Sequence, residues 1–273
     1  MRVITNEAYV TRRKNWGSRI ALLSFLFLIA GGIYSFLDPT LSQLPGGLPP
    51  WANLAIAYGL VIAGFVGFNI GTYHVRRWGR PDREDRTLKE NLTGLDNRYR
   101  LYNYVPGLPL LHLLLTPQAV YALETRGIDG QAIVCAGDHW RRHMKFMDYL
   151  RALSEERLKN PTQDALDGAA RLRAYLREYL PDVADSVPVK PVVVFTGKDV
   201  TLEVTDPTVP AVLARNLKGV IRTTGDPMPP AVYQALAQHL MDVAGDLEED
   251  TTPPTVQVRT PGSRKRRKRR KSS

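Results

Sequence analysis

Two stretches near the N-terminus carry no charged residue: residues 20–37 (IALLSFLFLIAGGIYSFL) and residues 51–73 (WANLAIAYGLVIAGFVGFNIGTY). A helix rises about 1.5 Å per residue, so about 20 residues cross a hydrocarbon core of about 30 Å. The second run meets that length and the first just reaches it. A cleaved signal peptide or a buried core helix would explain the first run alone. Yet it is longer than a signal peptide's apolar part, no A-x-A site follows it, and another apolar run comes soon after. Two membrane-spanning helices are therefore expected.

The flanks set an orientation. Arg12, Arg13, Lys14 and Arg19 precede the first run, and Arg76, Arg77 and Arg80 follow the second. The connection over residues 38–50 (DPTLSQLPGGLPP) has no basic residue. Basic flanks stay on the cytoplasmic side, so both termini and the bulk of the chain are expected in the cytoplasm, beneath a plasma or inner membrane. Trp16, Trp51, Tyr73 and Trp78 fall where interfacial aromatics are expected. Within the second run Ala55, Gly59, Ala63, Gly67 and Gly71 recur every four residues. They either form a packing stripe, against the first span or against another copy in a homo-oligomer, or reflect the abundance of small residues in membrane helices.

Charge is as segregated as hydropathy. The chain of 273 residues has 37 basic and 27 acidic side chains, a net charge of +10. Eight of the basic ones are consecutive: Arg264, Lys265, Arg266, Arg267, Lys268, Arg269, Arg270 and Lys271. Without them the balance is +2, so a nearly neutral body carries a basic tail. Residues 247–273 open acidic, continue Thr- and Pro-rich and end in that run, a composition that buries too little apolar surface to fold. The expectation is a disordered polybasic end that attracts anionic lipid or nucleic acid, or that only solubilises the chain. A single cysteine, Cys135 in an apolar stretch, excludes a disulfide framework and a Cys-rich zinc module.

The body, residues 80–246, reads as mixed α/β. A helix entered through Pro81-Asp82 carries Leu88, Leu92 and Leu95. Residues 99–105 are strand-like, and 110–115, 119–125 and 131–136 read as an antiparallel meander. Helical sequence follows, clearest over 162–180, then a buried strand over 191–196 and an edge strand over 200–204. Residues 210–222 and 228–244 are expected to be helices. His139 and His143 stand at i, i+4, a spacing that puts zinc ligands on one helix face, but without the Glu of H-E-x-x-H they read as a solvated helix face. Gly127-x-x-Gly130 reads as a hairpin turn.

With these elements placed, residues 108–127 (LPLLHLLLTPQAVYALETRG) resemble the core of the nuclease-related domain family, a branch of the restriction-endonuclease-like PD-(D/E)xK nucleases. The family motifs correspond in order to His112, Thr116-Pro117, Glu124-Thr125, Asn160-Pro161 and the apolar strand ending in Phe195-Thr196. The resemblance covers about residues 80–225. It implies a restriction-endonuclease-like mixed sheet flanked by helices, here preceded by a membrane hairpin (residues 1–79) and followed by the basic tail. It also implies Mg²⁺-assisted phosphodiester hydrolysis by an Asp, a Glu and a Lys. Carried over by position, the Asp slot is Leu111, the Glu slot Glu124, the Lys slot Arg126, and Gln163 or Asp164 lies near a Gln slot. Leucine cannot ligate a cation, and arginine stays charged and cannot act as a base. Glu124 and Arg126 are thus the catalytic candidates and Glu124 a metal ligand only if activity survives; a plain ion pair along one strand face is the simpler reading. The expectation is a degenerate, membrane-anchored module for nucleic-acid binding or scaffolding. The alternatives are an active Mg²⁺-dependent nuclease with a second acid such as Asp129 or Glu84, and a membrane assembly protein.

Overall fold

The computed structural model describes residues 1–41, 48–130, 132–143, 158–222, 225–247 and 249. The basic run 264–271 and most of the loop between the apolar runs lie outside the described residues.

Two long helices, α1 (Glu7–Leu41) and α2 (Pro50–Gly79), form an antiparallel hairpin. Both are long and apolar enough to cross a membrane. Only 11% of the apolar window of the first and 17% of the second is buried inside the protein. A core helix of a soluble protein would bury far more, whereas here Leu22, Phe36, Leu54 and Ile62 face outward.

The residues that α2 turns inward are Asn53, Ala57, Gly64, Gly71 and Trp78, the last four every seven residues. That repeat keeps one seam on a gently supercoiled partner. The expected four-residue stripe therefore divides. A four-residue step turns a helix by about 400°, so successive members drift by about 40° each. Gly67 and Gly71 lie against Ser24 and Ala21 of α1, where a Cβ would collide with them. Gly59, eight and twelve residues further back along the drift, has nothing near it, and Ala63 is exposed. Gly64, absent from the stripe, completes the seam: a Cβ there would meet Leu28 Cγ at 2.8 Å and Ser24 O at 2.9 Å.

Ahead of the hairpin is a strand that the sequence reading did not anticipate. β1 (Arg2–Thr5) pairs in parallel with β2 (Arg100–Asn103), from Arg2 opposite Arg100 to Thr5 opposite Asn103. Its other edge meets Glu249 through a bridge to Ile4. The chain thus leaves the sheet at residue 5, runs up α1 and down α2, and re-enters the same body. The N-terminus and the body share one side of the hairpin, and the first residues belong to the sheet, not to a separate membrane unit.

That sheet has six strands in the order β1-β2-β3-β4-β7-β9, with β3 (His112–Leu115), β4 (Val120–Arg126), β7 (Val189–Phe195) and β9 (Ala211–Leu213). β2, β3 and β4 run antiparallel in turn, while β7 and β9 add in parallel to β4. Side chains alternate between faces. Leu113, Leu115 and Ala122 pack under α4 (Pro161–Tyr179) and α6 (Pro230–Ala244). Leu114, Tyr121 and Leu123 pack under α3 (Glu84–Leu92) and α5 (Leu217–Arg222). A mixed sheet between helix layers results, as expected.

Five local expectations are corrected. β5 (Ala132–Ala136) does not extend the meander but leaves it for a second sheet, β6-β5-β8, with β8 spanning Thr201–Thr205. Gly127 to Gly130 is consequently a passage between sheets and no hairpin turn. His139 and His143 lie on strand β6 (His139–His143), antiparallel to β5, where four residues span about 13 Å. They cannot share one ion as a helical pair would. Residues 210–222 form β9 and a short 3₁₀ turn before α5, instead of one helix. Trp78 is buried, edge-on to Tyr9 at 5.5 Å and to Tyr104 at 5.2 Å, so it clamps the hairpin to the body and is no interfacial anchor.

Candidate functional site

The end of β4 supplies Glu124, Thr125 and Arg126, which alternate between the faces of the sheet. Leu113 stands opposite Ala122 in the β3–β4 register. Continuing that register by two residues sets Leu111 opposite Glu124, on the α4 side. Both line a cavity of about 490 Å³, where Leu111 is 44% exposed. A leucine side chain therefore stands beside Glu124 at the position where the resemblance expects an aspartate.

On the same face Arg126, 6% exposed, reaches both remaining acids. One guanidinium nitrogen donates to Glu124 Oε1 and the other to Asp164 Oδ2. Asp164 comes from the first turn of α4, which begins where the Asn160 side chain accepts from the Gln163 backbone N–H and Pro161 takes the first helical position. Gln163 turns instead to Asp167, at 2.8 Å, so of the two candidates for the Gln slot only Asp164 enters the site. Two acids do converge, and what lies between them is an arginine.

The opposite face holds a second group, assembled by α3. Thr125 Oγ1 donates to Glu84 Oε2 at 2.8 Å, His112 Nε2 approaches the same oxygen to 3.4 Å, and Arg77 of α2 lies 3.6 Å from Oε1. Burial by itself would raise the Glu84 carboxyl. The hydrogen bond to His112, the charges of Arg77 and His112 and the Thr125 hydroxyl outweigh it and hold the group well below the usual carboxylate range. The network continues outward: His112 Nδ1 bonds Asn103 Oδ1 at 2.8 Å, and Asn103 Nδ2 donates to Thr5 Oγ1 at 3.0 Å. Since the Asn103 amide nitrogen is the donor to Thr5, its oxygen accepts and His112 Nδ1 carries a proton. Arg83, also buried, joins Asp85 to Glu7 at the base of α1. Tyr104, held in the left-handed region at φ 57°, turns its ring onto His112 with 4.9 Å between centroids. The foot of the hairpin and the end of β4 are thereby one polar assembly.

Asp129, proposed from sequence as an alternative second acid, is committed elsewhere, to Arg80 at 2.6 Å and to the Lys198 N–H at 2.9 Å. Glu84, the other alternative, is close to Thr125 but lies across the strand from Glu124. Among the described residues no group of three or more His, Cys, Asp or Glu side chains is arranged to hold a metal ion. Mg²⁺ requires near-octahedral oxygen coordination. With Glu124 and Asp164 occupied by Arg126 and Leu111 beside them, the residues present do not fit that ion. Cys135 is buried, and desolvation raises its thiol, in keeping with an inert core position.

The fold and this strand end define a nuclease-like α/β domain attached to a helical hairpin. Residues 87–196 match the family model described as nuclease-related domain, a family within the PD-(D/E)xK superfamily. No curated protein and no solved structure matches the chain. The matched segment stops short of β1, the hairpin and Glu84. Of these, β1 had no local signal in the sequence and Glu84 stood only among alternatives; inside the match, the Arg126–Asp164 contact had no local signal beyond the Asn160-Pro161 helix start.

Proposed function

We propose that this protein is a membrane-anchored nuclease-related module that binds phosphate-bearing polymers, nucleic acid first among them, without hydrolysing them. The observation that carries this reading is the Arg126 guanidinium engaging Glu124 and Asp164 together, with Leu111 in the place of the family aspartate. A fixed positive charge stabilises the two acids where hydrolysis needs a cation that also activates water. The pairing of β1 with β2 supports placing both ends of the hairpin on one side of the membrane. The basic residues flanking both apolar runs support that side being cytoplasmic. The basic run 264–271 fits the same role by adding salt-dependent attraction to polyanions.

The test uses the full chain in detergent or nanodiscs, with single-stranded DNA, duplex DNA and RNA in Mg²⁺ and in Mn²⁺. The expected result is binding that weakens steeply with salt and no cleavage. Cleavage that disappears in Glu124→Ala would overturn the reading and establish an active nuclease.

A further inference from the structure

The cavity beside Leu111 extends past the strand-end site, and Asn6, Tyr9, Arg12 and Arg77 bring to it residues outside the nuclease-related match. Three guanidinium side chains from three helices border it: Arg12 of α1, Arg77 of α2 and Arg171 of α4. Arg77 is held in place by Tyr73 at 2.9 Å and by Glu84. Glu124 is the sole carboxylate among the lining residues, and Arg126 already engages it. Residues 105–111 (VPGLPLL) add an aliphatic stretch to the lining. Leu108 and Leu110 are partly buried there, and Leu111 is exposed. At about 490 Å³ the cavity has the size of a small-molecule site.

A lining that combines three guanidinium groups with aliphatic side chains suits an amphiphilic anion. The two tyrosines that border the cavity offer no open platform for a base: Tyr9 and Tyr104 stack on one another at 5.8 Å, and both also pack against Trp78. Arg12 is shared with a second cleft along α1 that includes Trp16 and ends at Arg19, immediately before the apolar run. A path of basic and aromatic side chains therefore leads from the cavity to the start of the span, about 12 Å above Arg12 at 1.5 Å per residue. We infer that this cavity binds a phosphate monoester of an aliphatic chain, its phosphate among Arg12, Arg77 and Arg171 and its chain against Leu108, Leu110 and Leu111. The inference holds whether or not the neighbouring acids cleave phosphodiesters, so its failure and that of the proposed function are separable.

The experiment is a titration of the full chain, in zwitterionic nanodiscs, with octyl phosphate, followed by ³¹P NMR and calorimetry. Inorganic phosphate and octanol serve as half-ligands. Saturable binding at one site is expected, more than about tenfold tighter than inorganic phosphate, since each buried methylene contributes about 0.8 kcal/mol. Arg12→Gln and Arg171→Gln alter exposed side chains and should each weaken binding by about tenfold, the scale of one charge-assisted hydrogen bond. Leu111→Gln, at an exposed position, should weaken octyl phosphate while leaving inorganic phosphate unchanged. Discs carrying phosphatidate separate the sources: competition with octyl phosphate identifies the membrane as the supplier, and undiminished binding identifies a soluble ligand, both in accord with the site. Equal affinity for inorganic phosphate, or variants that bind like the parent, would overturn the assignment. So would displacement by a single-stranded oligonucleotide that depends on the same arginines, which would give the cavity to nucleic acid.

Discussion

Thr125 of the central strand donates its hydroxyl hydrogen to Glu84 of the first helix after the hairpin, across 2.8 Å of buried space. The bond ties the end of β4 to the junction where α2 hands the chain to the body. The carboxylate it reaches is also approached by His112 and by Arg77. Whatever moves the foot of the hairpin must move or break this contact.

Glu84 should leave a mark on acid stability. Its folded-state carboxyl lies below the unfolded value, so it contributes stability above about pH 4.5 that is lost as pH falls through the folded value. Glu84→Gln should cost about 1.5–3 kcal/mol at neutral pH, the range for a hydrogen bond to a charged group, and should flatten the decline below pH 4.5. Thermal unfolding of the full chain in nanodiscs between pH 3 and 7 measures both. An unchanged acid limb would show that other carboxylates set it.

Arg126 should behave as an internal counter-ion. Arg126→Ala leaves Glu124 and Asp164 facing one another without a cation and should destabilise the domain by about 2 kcal/mol, less than a fully buried pair would lose because Asp164 is partly exposed. Added Mg²⁺ or Ca²⁺ should raise the melting temperature of that variant and leave the parent unaffected. Equal shifts in both would mean that the cations act elsewhere.

Restoring the family residues should restore chemistry. Leu111→Asp with Arg126→Lys places an oxygen ligand opposite Glu124 and frees that acid from the guanidinium that bridges it to Asp164. The double variant should acquire Mg²⁺-dependent cleavage of DNA or RNA, and a further Glu124→Ala should remove it. A gel-based assay against both single variants checks this, since neither alone supplies the full set.

The hairpin seam gives a prediction about packing. Gly67→Leu and Gly71→Leu should separate α1 from α2 and lower disulfide crosslinking between cysteines introduced along the seam. Gly59→Leu and Ala63→Leu should leave that crosslinking intact, because both positions face away from α1. If they instead reduce oligomer size in detergent, the outward stripe contacts a second copy.

Much of the plan was legible because it is written locally. Two uncharged runs of membrane length announce the hairpin, continuous apolar stretches announce β3, β4 and β7, and Asn160-Pro161 announces the start of α4. Leu111 in the aspartate slot could be read by position, since β3 and β4 are joined by a short turn that fixes their register. Less legible was anything that depends on two distant segments meeting. β1 is four residues long and finds its partner about a hundred residues later. β5 abandons its sequential neighbour for β8, and His139 and His143 followed it into a strand where helix spacing loses its meaning.

Sequence alone determined that this chain has two uncharged runs of membrane length, continuous apolar strands and a leucine at position 111, because length, periodicity and residue type are properties of neighbours along the chain. Only the tertiary structure decided that Asp164 joins Glu124 across Arg126, that Glu84 lies on the other face of β4, and that Arg12 and Arg77 from the hairpin border the cavity. Those outcomes rest on sheet register and on which helix face turns inward, and both are fixed when remote segments pack together.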